Sequence, residues 1–156
     1  ASRPESQSWV KSLGADAVID HHQPLDQALK VAGFDGVDMV ISLNQTDHHF
    51  EAIVEALKPQ GKLALIDDPE LIDVRKLKVK SLSLHWELMF TRPLFTTEDL
   101  AKQHDLLTEV AAMVDDGRLT TTLGEVLGPI NAENLKRAHA LIESNRTIGK
   151  LVLEGF

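Results

Sequence analysis

Apolar runs and amphipathic segments alternate along the first part of the chain. Apolar runs at residues 17–20, 37–43 and 62–66 have the length and composition of buried strands. Residues 25–32 and 50–57 lie between them and show the spacing of helices with one apolar face. The pattern predicts a parallel sheet with right-handed crossovers, in which the strand at 37–43 is the most central.

The second half of the chain has a different pattern. Apolar and polar side chains alternate over residues 81–88, which predicts a half-exposed strand at a sheet edge or an interface. An amphipathic helix over about residues 97–116 is predicted to turn inward Leu100, Leu107, Val110, Ala111 and Val114. The other predicted elements are a first helix with a Ser2–Glu5 capping box, a strand at 122–127, a helix capped by Asn131, and a last strand at 149–154.

The predicted fold class is α/β, with an incomplete doubly wound, Rossmann-like parallel sheet. A nucleotide-binding unit of this kind normally begins with a strand, a Gly-rich turn, a helix and a second strand, and no G-x-G-x-x-G turn occurs in the sequence. We therefore expect residues 1–118 to form a partial dinucleotide-binding domain that lacks its first two strands and that turn. Residues 119–156 are expected to form a C-terminal segment that returns to a missing catalytic domain.

Composition narrows the range of partners and locations. The formal charge of −8 and the lack of a basic stripe argue against nucleic acid as a partner. No apolar stretch is long enough to span a membrane, and residues 1–7 do not have the pattern of a signal peptide. The absence of cysteine excludes disulfides and thiolate metal sites within the chain, so a cytoplasmic location is expected.

The seven histidines do not form a recognised metal motif. Two adjacent pairs occur, His21–His22 and His48–His49, but neighbours on an extended segment point to opposite sides, so each pair is expected to offer one ligand at best. Neither H-E-x-x-H nor H-x-x-E-H is present, and no metal site is predicted. Asp67 and Asp68 form a carboxylate pair that is interpreted as a solvated loop.

Several segments taken together resemble a known enzyme family. They are ASRPES, SLGADAVIDH, DGVDMVISL, EALKPQGKLALID, HWELMFTRPLF and RTIGKLVLE. Their order is similar to the C-terminal half of the medium-chain dehydrogenase/reductase superfamily, in particular its quinone-oxidoreductase-like branch, often called zinc-type alcohol dehydrogenase-like. The resemblance covers the whole chain, but nothing in the chain corresponds to the family's N-terminal GroES-like catalytic domain.

The resemblance implies cofactor contacts at both ends of a dinucleotide. Ser2 and Arg3 match the loop that holds the adenosine 2′-phosphate in NADP-preferring members, and His21 lies where relatives often present an aromatic ring to that phosphate. A helix cap, a solvated charge and a surface histidine are the alternatives for these three residues. The family also places Met89, Phe90 and Thr91 near the nicotinamide. It places Lys150 and Arg146 in the final segment that returns to the cofactor's side, and a solvated charge is the alternative for these two residues.

Leu43, Asn44 and Gln45 are assigned to cofactor contact by their position. They follow the strand at 37–43, and open α/β sheets bind ligands at the carboxyl ends of their strands. A turn-forming role for Asn44 is the alternative. For the group at residues 89–91, the alternative is a core or interface role for Met89 and Phe90.

The leading hypothesis is the cofactor-domain part of an NADPH-dependent oxidoreductase. The implied reaction is hydride transfer to or from a carbonyl, alcohol or quinone-like substrate, and the isolated chain is expected to be inactive. A homodimer through residues 81–88 is also expected. Two alternatives stay open, a Rossmann-like methyltransferase fragment and a non-catalytic dimerisation or binding module. A methyltransferase would end in an antiparallel hairpin, whereas here a predicted helix precedes the last strand.

Overall fold

Three parallel strands form the main sheet of the computed structural model, which describes residues 1–155. By its internal contacts the chain divides into two compact units, Ala1–Leu100 and the part from Ala101 onward. The predicted boundary at residues 118 and 119 separates the partial dinucleotide-binding domain from the C-terminal segment. That division is by function, and it stays a prediction. The elements of the first unit are α1 (Pro4–Ser12), α2 (Leu25–Val31), β1 (Val37–Ser42), α3 (Thr46–Ala56), β2 (Leu57–Leu65), a short 3-10 helix (Val74–Leu77), β3 (Ser83–Trp86) and α4 (Thr91–Phe95).

The strand order of this sheet is β1-β2-β3, and both pairings are parallel. In register, Ser42 is paired with Leu65, and Leu65 is paired with Trp86, so the three strands end at the same level. Helix α3 connects β1 to β2 and packs its apolar face on the sheet. The buried core consists of Phe50, Ile53, Val54, Leu57, Leu63, Leu65 and Leu77. The predicted α/β class with a Rossmann-like parallel sheet is confirmed.

Two of the predicted strands need correction. Residues 17–20 have no strand pairing, because β1 pairs with β2 alone within the described residues 1–155. For the same reason β2 is the central strand of the described sheet, and β1 lies at one edge. Met39 and Ile41 on β1 are more than half exposed, so the apolar run that predicted a central position is only partly covered in this structure.

Strand β2 begins five residues earlier than predicted, because it contains an irregularity. The pairing passes from Val37 opposite Leu57 directly to Met39 opposite Lys62, so the segment at 58–61 bulges out of register. The segment includes Pro59, which has no N–H for a ladder. It also includes Gly61, where a Cβ atom would lie 2.9 Å from the carbonyl oxygen of Lys58. Helix α3 ends at Ala56, before Pro59 and Gly61, but both residues lie within β2 and do not precede it as predicted.

The first helix has a different N-terminus from the predicted one. Arg3 is the N-cap of α1, Pro4 is its first residue, and no side chain caps the helix. The Ser2–Glu5 capping box is therefore not formed. Proline at the first position is favourable, since its missing N–H would have no partner inside the helix in any case.

As far as residue 155, the second unit contains two parallel strands and two helices, α5 (Lys102–Asp115), β4 (Leu123–Pro129), α6 (Ala132–Glu143) and β5 (Lys150–Glu154). Asn131 caps α6 as predicted, because its side chain accepts a hydrogen bond from the Asn134 backbone N–H at 2.8 Å. The predicted inward face of α5 is wrong for most of its length. Leu107 is 62% exposed, and α5 has no buried residue, because the other elements of the unit leave its apolar side uncovered.

Among the described residues, no helix combines the length and the apolar character that a bilayer crossing requires.

Candidate functional site

The carboxyl ends of β1, β2 and β3 form one edge of the sheet, which we call the carboxyl edge. The Ile66 N–H donates to the Ser42 carbonyl at 3.3 Å, and the Glu87 N–H donates to the Leu65 carbonyl at 3.0 Å. These two bonds bring together the segments that follow the strands, at 43–45, 66–68 and 87–91. An open parallel sheet binds its ligands at such an edge, so this is the candidate functional site.

The loop of Leu43, Asn44 and Gln45 lies on the carboxyl edge as predicted, between β1 and α3. All three residues are exposed. Gln45 is the N-cap of α3 and has left-handed backbone angles of φ 53° and ψ 36°. A residue other than glycine adopts this conformation at a cost, and surrounding contacts must hold it in place. Contact between this loop and a cofactor stays a prediction.

A network of buried hydroxyls and one carboxylate holds both ends of this loop. Ser42 and Thr46 are buried, and their hydroxyl oxygens are 2.7 Å apart. The Thr46 hydroxyl donates to Asp67 Oδ1, and the Thr46 N–H donates to Asp67 Oδ2 at 2.8 Å. These bonds, first the one from the hydroxyl and then the one from the N–H, lower the pKa of Asp67 below its ordinary value.

Asp67 and Thr46 are site residues that sequence reasoning missed. The interpretation of Asp67 as a solvated loop residue is incomplete, because its partly exposed carboxylate also accepts two hydrogen bonds from the start of α3. One signal was present in the sequence. Thr46 lies where a helix starts and Asp67 directly follows the next strand, so parallel pairing brings the two positions to the same edge.

The start of the chain lies beside the segment that carries His21. The amine of Ala1 donates to the Ile19 carbonyl at 3.1 Å, and the Gln7 side chain donates to the Ala1 carbonyl at 3.2 Å. Ser2 and Arg3 are therefore close in the fold to residues 19–22, and both are half-buried. The three residues assigned to the adenosine phosphate thus come from neighbouring segments, although their contact with a phosphate stays a prediction.

The two histidine pairs come together in the structure. The ring centroids of His21 and His49 are 6.5 Å apart, and each of these rings also lies near its sequence neighbour. Desolvation is the largest cause that lowers the pKa of His21, followed by the charge on His22. Even so, within residues 1–155 no group of three or more His, Asp or Glu side chains has an arrangement that could hold a metal ion.

Met89, Phe90 and Thr91 follow β3 at the carboxyl edge. Met89 and Phe90 are more than half exposed, which does not fit the alternative of a core role in this chain. Thr91 begins α4 and lines a shallow pocket together with Trp86, Glu87, Leu88, Arg92, Thr97 and Asp99. An ion pair of 2.9 Å between Arg92 and Asp99 forms one side of this pocket.

Lys150 and Arg146 belong to the second unit. Lys150 is the first residue of β5, its side chain is exposed, and its backbone N–H donates to the Thr122 carbonyl at 2.7 Å. Arg146 follows α6 and donates its backbone N–H to the Ser144 hydroxyl at 3.2 Å. The assignment of Lys150 to the cofactor's side stays a prediction.

Comparison with known proteins agrees with this architecture. The family model of the zinc-binding dehydrogenases matches residues 13–153. A zinc-type alcohol dehydrogenase-like protein of Staphylococcus epidermidis is 34% identical over 154 residues, which cover 98% of this chain and 46% of that protein. The chain thus spans about half the length of the curated relatives it matches.

Solved structures give the same result. A crystal structure of a candidate zinc-dependent alcohol dehydrogenase protein from Rhizobium etli superposes on the whole chain with a TM-score of 0.92 and 52% identity, and 46% of that protein is covered. An NAD-dependent alcohol dehydrogenase, 22% identical, superposes with a TM-score of 0.76 over 43% of its length and shows the fold alone. The resemblance to the medium-chain dehydrogenase/reductase superfamily is confirmed, and the chain belongs to the zinc-binding dehydrogenase family.

Proposed function

We propose that this chain is the cofactor-domain part of an NADPH-dependent oxidoreductase. The observation that carries the proposal is the carboxyl edge, where three parallel strands end in register and present exposed loops at 43–45 and 87–91. Family membership supports the same function, since relatives of this chain are alcohol dehydrogenase-like proteins. The proposed reaction transfers a hydride to or from a carbonyl, alcohol or quinone-like substrate.

The residues on the carboxyl edge would hold the nicotinamide half of the cofactor. Leu43, Asn44 and Gln45 supply backbone donors and acceptors on one side, and the segment at 89–91 supplies an apolar wall with one hydroxyl. Such a surface can orient an uncharged ring and its ribose. When bound, the cofactor supplies the hydride chemistry, and the protein's part is to orient it and to exclude water.

Ser2, Arg3 and His21 would recognise the adenosine 2′-phosphate. A guanidinium can pair with a phosphate through two parallel hydrogen bonds, and a hydroxyl adds a neutral donor. His21 would strengthen the preference at low pH, when its ring is charged. The neighbouring positions of the first residues and of residues 19–22 support this assignment.

Zinc has no part in the proposed mechanism of this chain. The sequence contains no cysteine, and among residues 1–155 no cluster of three or more potential ligands could hold a metal ion. The donor set therefore does not fit a zinc site of the usual kind, and no step is assigned to a metal.

We expect no dehydrogenase activity from the isolated chain. Hydride transfer requires a substrate held about 3 to 3.5 Å from the nicotinamide, and the chain covers 46% of its Staphylococcus relative. The purified protein should not oxidise NADPH above background with a quinone or an aldehyde. Turnover that persists after removal of contaminating reductases would contradict this part of the proposal.

The cofactor preference is tested by nuclear magnetic resonance titration of the chain with NADPH and NADH, because this method detects weak binding. We expect tighter binding of NADPH. The Arg3→Ala variant should weaken NADPH binding by about ten- to a hundredfold and leave NADH nearly unchanged, since a charge-assisted pair contributes about 1.5–3 kcal/mol. Ser2→Ala should have a smaller effect, and Arg118→Ala, which removes a guanidinium from the second unit, should have none. Equal weakening of both cofactors by Arg3→Ala would contradict the NADPH assignment.

We also propose that the chain forms a homodimer through β3. Within the described residues β3 pairs only with β2, and Trp86 at its end is 58% exposed. An open strand edge with apolar side chains favours pairing with a second copy. Light scattering at tens of micromolar should give a dimer mass for the unmodified chain and for Val31→Glu, and a monomer mass for Trp86→Glu. A monomeric unmodified chain would refute the proposal.

The alternatives are less well supported. β4 and β5 are parallel with α6 between them, whereas a methyltransferase would end in an antiparallel hairpin. A non-catalytic binding module would bind neither NADPH nor NADH, so the same titration separates it from the main proposal. The predicted cytoplasmic location stays a prediction based on the lack of cysteine.

A further inference from the structure

We propose that Asp67 is a positioning residue that holds the loop at 43–45 in the conformation that receives the cofactor. The inference rests on the proposed function, because it assigns a purpose to a carboxylate at the same edge. It starts from the network of Ser42, Thr46 and Asp67, which joins the end of β1, the start of α3 and the segment after β2.

The network has a definite direction of hydrogen bonding. A threonine hydroxyl has one proton, and the Thr46 hydroxyl gives it to Asp67 Oδ1. The bond between the two hydroxyls must therefore run from Ser42 to Thr46. Each hydroxyl group therefore donates in the direction of Asp67, and the ionised carboxylate accepts the last two hydrogen bonds of the network. An amide at position 67 has only one oxygen, so it could not accept these two bonds on separate oxygens.

The same network fixes both ends of the loop. Ser42 directly precedes Leu43, and Thr46 directly follows Gln45, so three residues span a gap with two anchored ends. Gln45 must adopt left-handed backbone angles to connect them. Because a residue of this type does not favour that conformation by itself, the anchors at Ser42 and Thr46 impose it, and Asp67 holds the second anchor through both its oxygens.

Asp67 also determines what the loop can bind. Its carboxylate accepts the Thr46 N–H at 2.8 Å, which is the first backbone donor of α3. The end of a helix is otherwise a favourable place for an anion, and here it is already occupied by a negative charge. The loop therefore suits a part of the ligand without a phosphate, such as a nicotinamide ring with its ribose.

The test compares side-chain variants of the 156-residue chain by two readouts. The first is hydrogen exchange of the backbone amides from Asn44 to His48. The second is the affinity for two cofactor fragments, reduced nicotinamide mononucleotide for the loop and 2′,5′-ADP for the adenosine side. Asp68→Asn is the matched control, since Asp68 is the exposed neighbour and undergoes the same chemical change.

Asp67→Asn should speed the exchange of these amides at least tenfold. It should weaken the binding of reduced nicotinamide mononucleotide about tenfold and leave the affinity for 2′,5′-ADP unchanged. Asp68→Asn should alter neither the exchange nor the affinities. Thr46→Val should reproduce the effect, whereas Thr46→Ser, which keeps the hydroxyl, should retain the unmodified behaviour. The Thr46 pair decides the question if Asp67→Asn does not fold, because a role in folding alone would not separate the two fragments.

Three outcomes would overturn the proposal. Unchanged loop exchange in both Asp67→Asn and Thr46→Val would show that the network does not hold the loop. If Asp67→Asn weakened the binding of both fragments equally, the variant would have lost structure in general. If the unmodified chain binds neither fragment, the proposed function fails for this chain, and the proposed positioning of a cofactor fails as well. The exchange data report separately whether Asp67 fixes the loop.

Discussion

Helices α3 and α5 have similar amphipathic patterns but different surroundings. The apolar face of α3 is buried against the sheet, and Phe50 and Ile53 are each 3% exposed. Helix α5 has no buried residue. The sequence pattern alone predicts an inward face for both, so it identifies a helix reliably but does not reveal whether anything within the same chain covers that face.

The ends of α3 add to this contrast. At its N-terminus Asp67 accepts the first N–H, and at its C-terminus Lys80 Nζ donates to the carbonyls of Val54, Glu55 and Leu57 at 2.9 to 3.0 Å. Some of the backbone groups that α3 leaves without internal partners are thus satisfied by residues from later in the chain. The N-cap of helix α5 is Ala101, and no side chain caps this end of the helix.

The largest expected effect tests the difference in burial. Leu63→Ala in β2, beneath α3, should lower the free energy of unfolding by about 2–5 kcal/mol, because it leaves a cavity in a fully buried position. Leu107→Ala on α5 makes the same chemical change at an exposed position and should cost less than about 0.5 kcal/mol. Urea denaturation followed by circular dichroism measures both. Equal losses would show that α5 is covered in solution, for example by a second copy.

An intermediate effect is expected at the C-terminus of α3. Lys80→Met keeps most of the aliphatic stem but removes three hydrogen bonds to carbonyls, and should cost about 1–3 kcal/mol. Lys76→Met removes an exposed ion pair with Glu51 and should cost at most about 1 kcal/mol. If the two variants have the same stability, Lys80 does not stabilise the helix end.

The smallest effect concerns the N-terminus of α3 and depends on pH. The pKa of Asp67 is lowered in the folded protein, so the ionised form contributes stability at pH values above the ordinary carboxyl pKa of 3.8. This contribution is lost as the pH falls from 3.8 through the lowered value. The stability difference between the unmodified chain and Asp67→Asn should therefore shrink below about pH 4.

Asp73 provides a background for that measurement. The hydrogen bond from the Arg75 side chain is the main cause that lowers the pKa of Asp73 to about 2. Both proteins retain this group, so both should lose some stability at the lowest pH values. A difference between them that stays constant from pH 7 to pH 2 would contradict the role of the Asp67 charge.

The sequence predicted the order of most helices and strands because their signals are local. The N-cap Asn131 and the apolar spacing of α3 are examples. Strand 17–20 was not correctly predicted, because a strand also needs a neighbour for its backbone groups. The bulge in β2 depends on the register between β1 and β2. A local sequence pattern does not predict this register.

The candidate site was predicted by position and family rather than by chemistry. The loop at 43–45 was found because it follows an apolar run that predicted a strand, and it lies at the carboxyl edge. Asp67 and the contact between His21 and His49 were missed, because each joins residues that are distant in sequence. Tertiary contacts of this kind become visible only when the order of the strands is known.

The close spacing of β1, α3 and β2 along the chain also bears on how the molecule reaches its native state. Most residues of the main core lie within this one crossover, between Phe50 and Leu65, with Leu77 shortly after. Loops of this length lose little entropy on closure, and structures with a short average contact range fold quickly. The crossover can therefore act as an early folding nucleus. The irregular segment at 58–61 reaches its final conformation only when β1 and β2 align.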